Sequence, residues 1–234
     1  MVWDRLREVA VPDSRFHLDF SMFIPDYAGS EQTIDALRSL PFYAGAGPVF
    51  VTPDNNLQEL RGVLLRERRP LLMTTYGILR GFLFFAPGSI ANAAIDYAAS
   101  LDGAEHFGRR VGLEKLRSLG RLDFLVTGAS AVNKDGIRFG KGHGYFDVEW
   151  GLLRDIGLVD EDSPVVACVH DLQFIDEELE SRETDTLVDW VITPTRTIGI
   201  DRRMEKPKGI RWDLLDPHLL ASIPPLMELR ALSS

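Results

Sequence analysis

Cysteine is nearly absent from this 234-residue sequence. Cys168 stands alone, so no internal disulfide can form, and its place in the apolar run PVVACVH reads as a buried, inert thiol. Without a cluster of cysteine and histidine, a zinc site is not expected. Long hydrophobic runs are also missing, and none approaches the roughly 20 residues that span a bilayer. The opening MVWDRLREVAVPDSR carries acids and arginines where a signal peptide needs an apolar stretch. The expectation is a cytoplasmic protein with no membrane partner. Positive charge is in short supply as well. Lys and Arg number 26 against 35 Asp and Glu, a net charge of −9, which argues against general affinity for nucleic acid. Lysine is scarce and first appears at Lys115. One locally basic stretch, RRMEKPKGIR from Arg202 to Arg211, reads as a solvated loop or an anion contact.

Short apolar runs are plentiful: PVFVT (48–52), PLLMTTY (70–76), RLDFLVTG (121–128), PVVACVH (164–170) and LVDWVIT (187–193). Segments with helical spacing lie between them. In NLQELRGVLLRE, Leu57, Leu60, Val63 and Leu64 share one face, and IANAAIDYAASL and LEKLRSL are further helical candidates. Near-continuous apolar strands alternating with helices predict an α/β fold whose parallel sheet is covered on both sides. The expectation is one domain over 1–234, with a C-terminal extension from about residue 200 rich in proline and charge.

The stretch GIRFGKGHGYFD concentrates glycine at 136, 140, 142 and 144. It follows the run RLDFLVTG and precedes YFDVEWGLLRDIGL, where Tyr145, Val148, Leu152 and Ile156 form an apolar stripe at helical spacing. The order is strand, glycine-rich loop, helix. Unpaired N–H groups and the dipole at a helix N-terminus favour an anion, and glycines let such groups turn toward one phosphate. The spacing is G-x-G-x-G, which matches neither the dinucleotide nor the Walker fingerprint. A sharp structural turn therefore stays open beside phosphate binding. Lys141 inside the loop suits phosphate charge. Asp147 reads either as an acid stabilised in the first turn of a helix or as a magnesium ligand.

These residues carry a resemblance. DFLVTGASAVNKDGIRFGKGHGYFD is similar to the signature of the 5-formyltetrahydrofolate cyclo-ligases, and VVACVHDLQFIDEELESRETDTLVDWVIT fits the same family. FIPDYAGSEQTIDALRSLPFYAGAGPVFVTPDN and the tail GIRWDLLDPHLLASIPPLMELR look like a diverged branch, the methenyltetrahydrofolate-synthetase-domain proteins. The resemblance implies a Rossmann-like three-layer α/β sandwich with a mostly parallel central sheet. It implies that ATP phosphorylates the formyl oxygen of 5-formyltetrahydrofolate, that N10 then attacks the formyl carbon, and that phosphate leaves to give 5,10-methenyltetrahydrofolate and ADP. Such catalysis is mostly positioning and charge stabilisation. Carried over, Gly140, Lys141, Gly142, His143, Gly144 and Tyr145 would bind ATP, with Arg138 and Lys141 neutralising phosphate and Tyr145 and Phe146 lining the site. Asp147 would hold Mg²⁺, with Asp189 as second carboxylate and Asp185 as its competitor.

The chain departs from the family at two points. The family's N-terminal helix brings a lysine and an arginine to the phosphates, whereas WDRLREV offers only Arg5 and Arg7. The family's folate-binding glutamate after the early strand is also missing, and VTPDNNLQEL has Asp54 and Asn55 there, which read as a substitute ligand or as turn and cap residues. Arg80 reads as a substrate contact or a structural ion pair. His170 and Asp171 read as an acid–base pair or as a satisfied strand end. Two alternatives to the cyclo-ligase remain: a non-catalytic nucleotide-binding member, and an enzyme acting on another phosphorylated small molecule.

Overall fold

The structure is a computed structural model and describes residues 2–232. Its strands are β1 (Val49–Val51), β2 (Leu71–Thr74), β3 (Phe82–Phe85), β4 (Arg109–Val111), β5 (Phe124–Thr127), β6 (Ala131–Asn133), β7 (Arg138–Phe139), β8 (Val165–Cys168), β9 (Phe174–Ile175), β10 (Trp190–Ile192) and β11 (Thr197–Gly199). The helices are α1 (Val2–Leu6), α2 (Gln32–Arg38), α3 (Gln58–Arg66), α4 (Ile95–Ala99), α5 (Leu101–Phe107), α6 (Leu113–Arg117), α7 (Tyr145–Asp155), α8 (Pro217–Ser222) and α9 (Pro224–Leu232). The main sheet runs β11-β10-β8-β5-β1-β2-β3-β4. Its centre, β10 to β2, is parallel, and β11, β3 and β4 add antiparallel margins. A second, small sheet joins β7, β6 and β9.

The physical reason for this arrangement lies in the apolar runs. Every residue of β1, β2, β5 and β8 is buried, as a parallel strand covered on both faces requires. Successive side chains point to opposite faces. Phe50, Leu72, Leu125 and Ala167 pack with Trp150, Leu152 and Leu153 of α7. Val49, Leu71, Phe124 and Val166 pack on the other side with Leu37 of α2 and with Leu60 and Leu64 of α3. The mostly parallel three-layer α/β architecture expected from the sequence is thus the one found.

All five apolar runs became strands of the main sheet, and β3 and β4 were not anticipated. The segment beyond residue 200 is built into the core. Ile223, Leu226 and Leu229 are buried against α7 and its neighbours, and the Trp150 indole Nε1 donates to the Pro207 carbonyl at 2.8 Å. The basic stretch there is not a solvated loop throughout. Lys206 is fully buried, and its Nζ donates to Asp189 Oδ2 (2.6 Å) and to the carbonyls of Ser163 (2.8 Å) and Glu161 (3.0 Å). Among the described residues no helix is long and apolar enough to cross a membrane.

Candidate functional site

Parallel sheets present their ligands to the carboxyl ends of the strands. A cavity of about 590 Å³ opens there, floored by Thr52 and Asp54 after β1 and by Thr127 of β5. The glycine loop between β7 and α7 forms one wall, and every residue from Ile137 to Glu149 lines it.

The glycines answer to backbone geometry. Gly142 and Gly144 are left-handed, at φ +87° and +69°, a region that costs an L-residue roughly 1–2 kcal/mol. A Cβ there would meet nothing closer than 3.9 Å at Gly142 and 4.0 Å at Gly144, so the conformation and not crowding demands glycine. Gly144 is the residue before α7, and Val148 N–H donates to its carbonyl at 3.0 Å. The helix therefore opens directly at the cavity, with the unpaired amides of its first turn there.

Two cations belong to this wall. Lys141 Nζ stands 5.4 Å from the Tyr76 ring centroid and 5.9 Å from that of Tyr145. The Arg138 guanidinium lies 4.7 Å from the Phe146 ring centroid, and its Nη2 is 3.8 Å from Asp147 Oδ1. Arg138 Nε is buried without a partner. His143 packs against Tyr145 and sets its Nε2 3.3 Å from the Ser21 carbonyl, tying the loop to the N-terminal segment.

Asp147 is partly buried in the first turn of α7 and accepts a hydrogen bond from Thr186 N–H at 2.8 Å. Burial pushes its carboxyl above the usual range, against the pull of Arg138 and the Thr186 amide, while the Asp185 charge adds to the rise. The Thr186 hydroxyl is buried beside it without a well-aligned hydrogen-bond partner. An under-compensated carboxylate, an orphaned hydroxyl and a nearby acid are hard oxygen donors that fit Mg²⁺. Among the described residues no three His, Cys, Asp or Glu side chains converge on one point. A metal held here would complete its shell with phosphate and water.

Asp54 also lines the cavity, but it does not cap the turn that follows it. Its Oδ2 accepts from Thr52 Oγ1 (2.6 Å) and Gly128 N–H (2.9 Å), joining the ends of β1 and β5. Beneath it, fully buried Arg61 donates from Nη1 to the carbonyls of Thr52 (2.8 Å) and Asp54 (3.0 Å), and from Nε to Ala99 (2.8 Å). Burial lowers its pKa to about 10, against the opposing influence of Asp54.

Several predicted site residues lie elsewhere. Asp189 does not line the cavity. Both its oxygens are taken inside the protein, Oδ1 by Arg202 Nε (2.6 Å) and Oδ2 by Lys206 Nζ (2.6 Å) and Val165 N–H (2.8 Å). Asp185, its competitor, is the acid that lines the cavity. Arg80 pairs with Glu105 of α5 at the surface and does not reach the site. Arg5 borders a separate open groove with Phe174 and Asp176, and Arg7 packs its guanidinium 5.4 Å from the Phe20 ring centroid. His170 Nδ1 accepts from Leu172 N–H at 3.2 Å, whereas Asp171 accepts from Thr193, Thr195 and Arg196, so the two do not form an acid–base pair.

Other residues took their place unannounced. Arg15 is the N-terminal cation that lines the cavity, on a turn in which Asp13 accepts from the amides of Arg15 (2.7 Å) and Phe16 (3.0 Å). Arg211, Leu214, Leu215 and Leu219 of the C-terminal segment supply a further wall. Glu149 of α7 is buried at the cavity, and the Thr74 hydroxyl donates to its Oε1. Burial pushes this carboxyl up to about 8; Asp54 adds to the rise, while Thr74, Lys141 and Arg138 oppose it. The one sequence signal for Glu149 was an acid four residues after Tyr145, on a helix whose neighbouring positions are apolar.

Residues 26–194 match the 5-formyltetrahydrofolate cyclo-ligase family. The chain is 34% identical over 212 residues to a methenyltetrahydrofolate synthase domain-containing protein of Homo sapiens, an alignment covering 89% of this chain and 54% of that protein. A protein of the same description in Mus musculus is 31% identical over 232 residues, covering 98% and 61%. The chain thus spans little more than half the length of these relatives. The NMR structure of 5,10-methenyltetrahydrofolate synthetase from Aquifex aeolicus superposes with a TM-score of 0.50 at 20% identity, covering 75% of this chain and 83% of that one. That likeness is one of fold.

Proposed function

The chain belongs to the 5-formyltetrahydrofolate cyclo-ligase family, and from that premise we propose that it closes 5-formyltetrahydrofolate to 5,10-methenyltetrahydrofolate at the expense of ATP. The observation that carries the reading is the wall formed by residues 138–147. Left-handed glycines lead into the start of α7, and Arg138 and Lys141 flank the same cavity as a partly buried, under-compensated Asp147. This is the equipment for a polyphosphate: backbone amides at a helix start, two cations, and a carboxylate that can share a metal with phosphate.

Arg15 stands in the place that the N-terminal helix was expected to fill, adding a third cation. Asp147, with the Thr186 hydroxyl and Asp185 alongside, would hold Mg²⁺, which when bound offsets phosphate charge. Tyr76, Tyr145 and Phe146 give the cavity flat apolar surfaces for a heterocycle. Phosphoryl transfer asks the protein chiefly to position its reactants and balance charge, and these residues are placed for both.

The test is the spectrophotometric appearance of methenyltetrahydrofolate from 5-formyltetrahydrofolate with ATP and Mg²⁺, run beside Lys141→Ala. Product that requires ATP and falls at least tenfold in the variant is the expected result. Absence of product with the wild-type chain overturns the reading. A thermal shift by ATP–Mg²⁺ would in that case mark a nucleotide-binding protein without folate turnover.

A further inference from the structure

Lys141 has little to hold it in place. Among the described residues its ammonium makes no hydrogen bond and no ion pair, and what it meets is two rings. The centroids of Tyr76 and Tyr145, at 5.4 Å and 5.9 Å, are both within cation–π reach. Tyr145 opens the helix that the lysine's own loop leads into, whereas Tyr76 comes from the turn after β2 and is the contact from outside.

Tyr76 is itself fixed from several sides. Its hydroxyl donates to the Met22 carbonyl at 2.7 Å, and its ring stacks on Phe16, centroids 5.8 Å apart and planes at 26°. The turn that presents it is strained, because Ile78, β-branched and fully buried, sits at φ +59°, a region such residues rarely occupy. Strain of this kind persists only where the surroundings over-determine it, and it clusters at functional sites. Here Ile78 N–H donates to the Thr75 carbonyl at 2.8 Å and Gly81 N–H to the Ile78 carbonyl at 2.9 Å, closing the turn. The same turn packs on the second ring, since a Cβ at Gly77 would stand 3.4 Å from Tyr145 Cζ.

A lysine loose on its four-carbon stem can still neutralise phosphate as a point charge. Stabilising charge that develops in a transition state requires the ammonium to be in place beforehand. We propose that Tyr76 is a positioning residue: with Tyr145 it holds the Lys141 ammonium at the phosphate wall, and its tether to Met22 keeps the ring there. The inference rests on the reading of the cavity as an ATP site. The task differs from offering a flat surface to a heterocycle, because such a surface would act whether or not the lysine is present.

The test is a double-mutant cycle on the full chain, with Tyr76→Leu and Lys141→Ala made singly and together and each checked first for a cooperative melt. Should Tyr76→Leu fail to fold, Tyr76→Met takes its place. The readouts are kcat and KM for ATP in methenyltetrahydrofolate formation, and the Kd of a non-hydrolysable ATP analogue with Mg²⁺ by calorimetry. Tyr76→Leu should lower kcat at least tenfold and raise the Kd at least threefold. In the Lys141→Ala background the same substitution should change neither by more than twofold. Tyr76→Phe, which keeps the ring and loses only the tether, should stay within threefold of the wild-type kcat. Equal losses in both backgrounds, a Tyr76→Leu variant indistinguishable from wild type, or a Tyr76→Phe variant as impaired as Tyr76→Leu overturns the inference and leaves the cyclo-ligase reading standing. If wild type binds the analogue but forms no product, the cyclo-ligase reading falls and the same comparisons made on Kd decide the inference. If wild type does not bind the analogue, both fall.

Discussion

Replacing Asp189 by asparagine separates two roles that a carboxylate at a strand start can play. In the structure it is the counter-charge for Lys206, whose ammonium is fully buried and whose other partners are the carbonyls of Ser163 and Glu161. It also binds Arg202 and the Val165 amide. Breaking one side of a buried ion pair leaves an uncompensated charge and costs about 3–5 kcal/mol. Asparagine keeps one carbonyl oxygen, which places Asp189→Asn near the lower figure. For a chain of this length 1 kcal/mol moves Tm by about 2–4 °C, so the expected fall is about 6–12 °C. Calorimetry on Asp189→Asn, Lys206→Met and the double variant would show it. The double variant should be more stable than the sum of the single losses, because the stranded charge is gone. The thermal shift from ATP–Mg²⁺ should survive in Asp189→Asn. A Tm within about 2 °C of wild type, together with loss of that shift, would refute the structural role and return Asp189 to the metal.

Two further predictions concern the loop and the acid limb of stability. Gly144→Ala forces a Cβ into φ +69°, with an expected loss of about 1–2 kcal/mol in denaturant titration and a weaker ATP–Mg²⁺ shift; unchanged stability would show that the helix start tolerates another geometry. At Asp171, burial alone would raise the pKa, but hydrogen bonds from Thr195, Thr193 and Arg196 outweigh it and hold the carboxyl below its usual value. A depressed folded-state pKa gives stability that is present above pH ~4 and lost as pH falls through the folded value. The Tm gap between wild type and Asp171→Asn should therefore be widest near neutral pH and close below about pH 4; a gap that does not change with pH would contradict this.

The central strands were legible because a strand buried on both faces must be apolar at nearly every position, and the segments 49–51, 124–126 and 165–169 are. The antiparallel margin was harder to see. β4 is Arg-Arg-Val with both arginines exposed, so it shows neither a continuous apolar run nor alternation. The glycine loop announced itself through local sequence, since positive φ is a local demand. Arg15, Glu149 and the 209–219 wall did not, because their membership of the site depends on segments far apart in the chain meeting at the strand ends. Asp189 and Asp147 look alike in sequence. What distinguishes them is a lysine 17 residues further on that turns inward to take Asp189.

Arg61 has a consequence for how an anion reaches the cavity. The chain as a whole carries −9, so its average surface repels a polyanion that comes within about a Debye length, about 8 Å at physiological salt. Attraction begins only where local cations outweigh that average. Arg61 is held beneath the floor by three backbone carbonyls, with Arg138, Lys141 and Arg15 around the opening. A charge shut away from water is poorly screened, so this part of the field persists when mobile ions blunt the rest. Repulsion by the exposed surface and attraction by the buried Arg61 therefore answer differently to ionic strength.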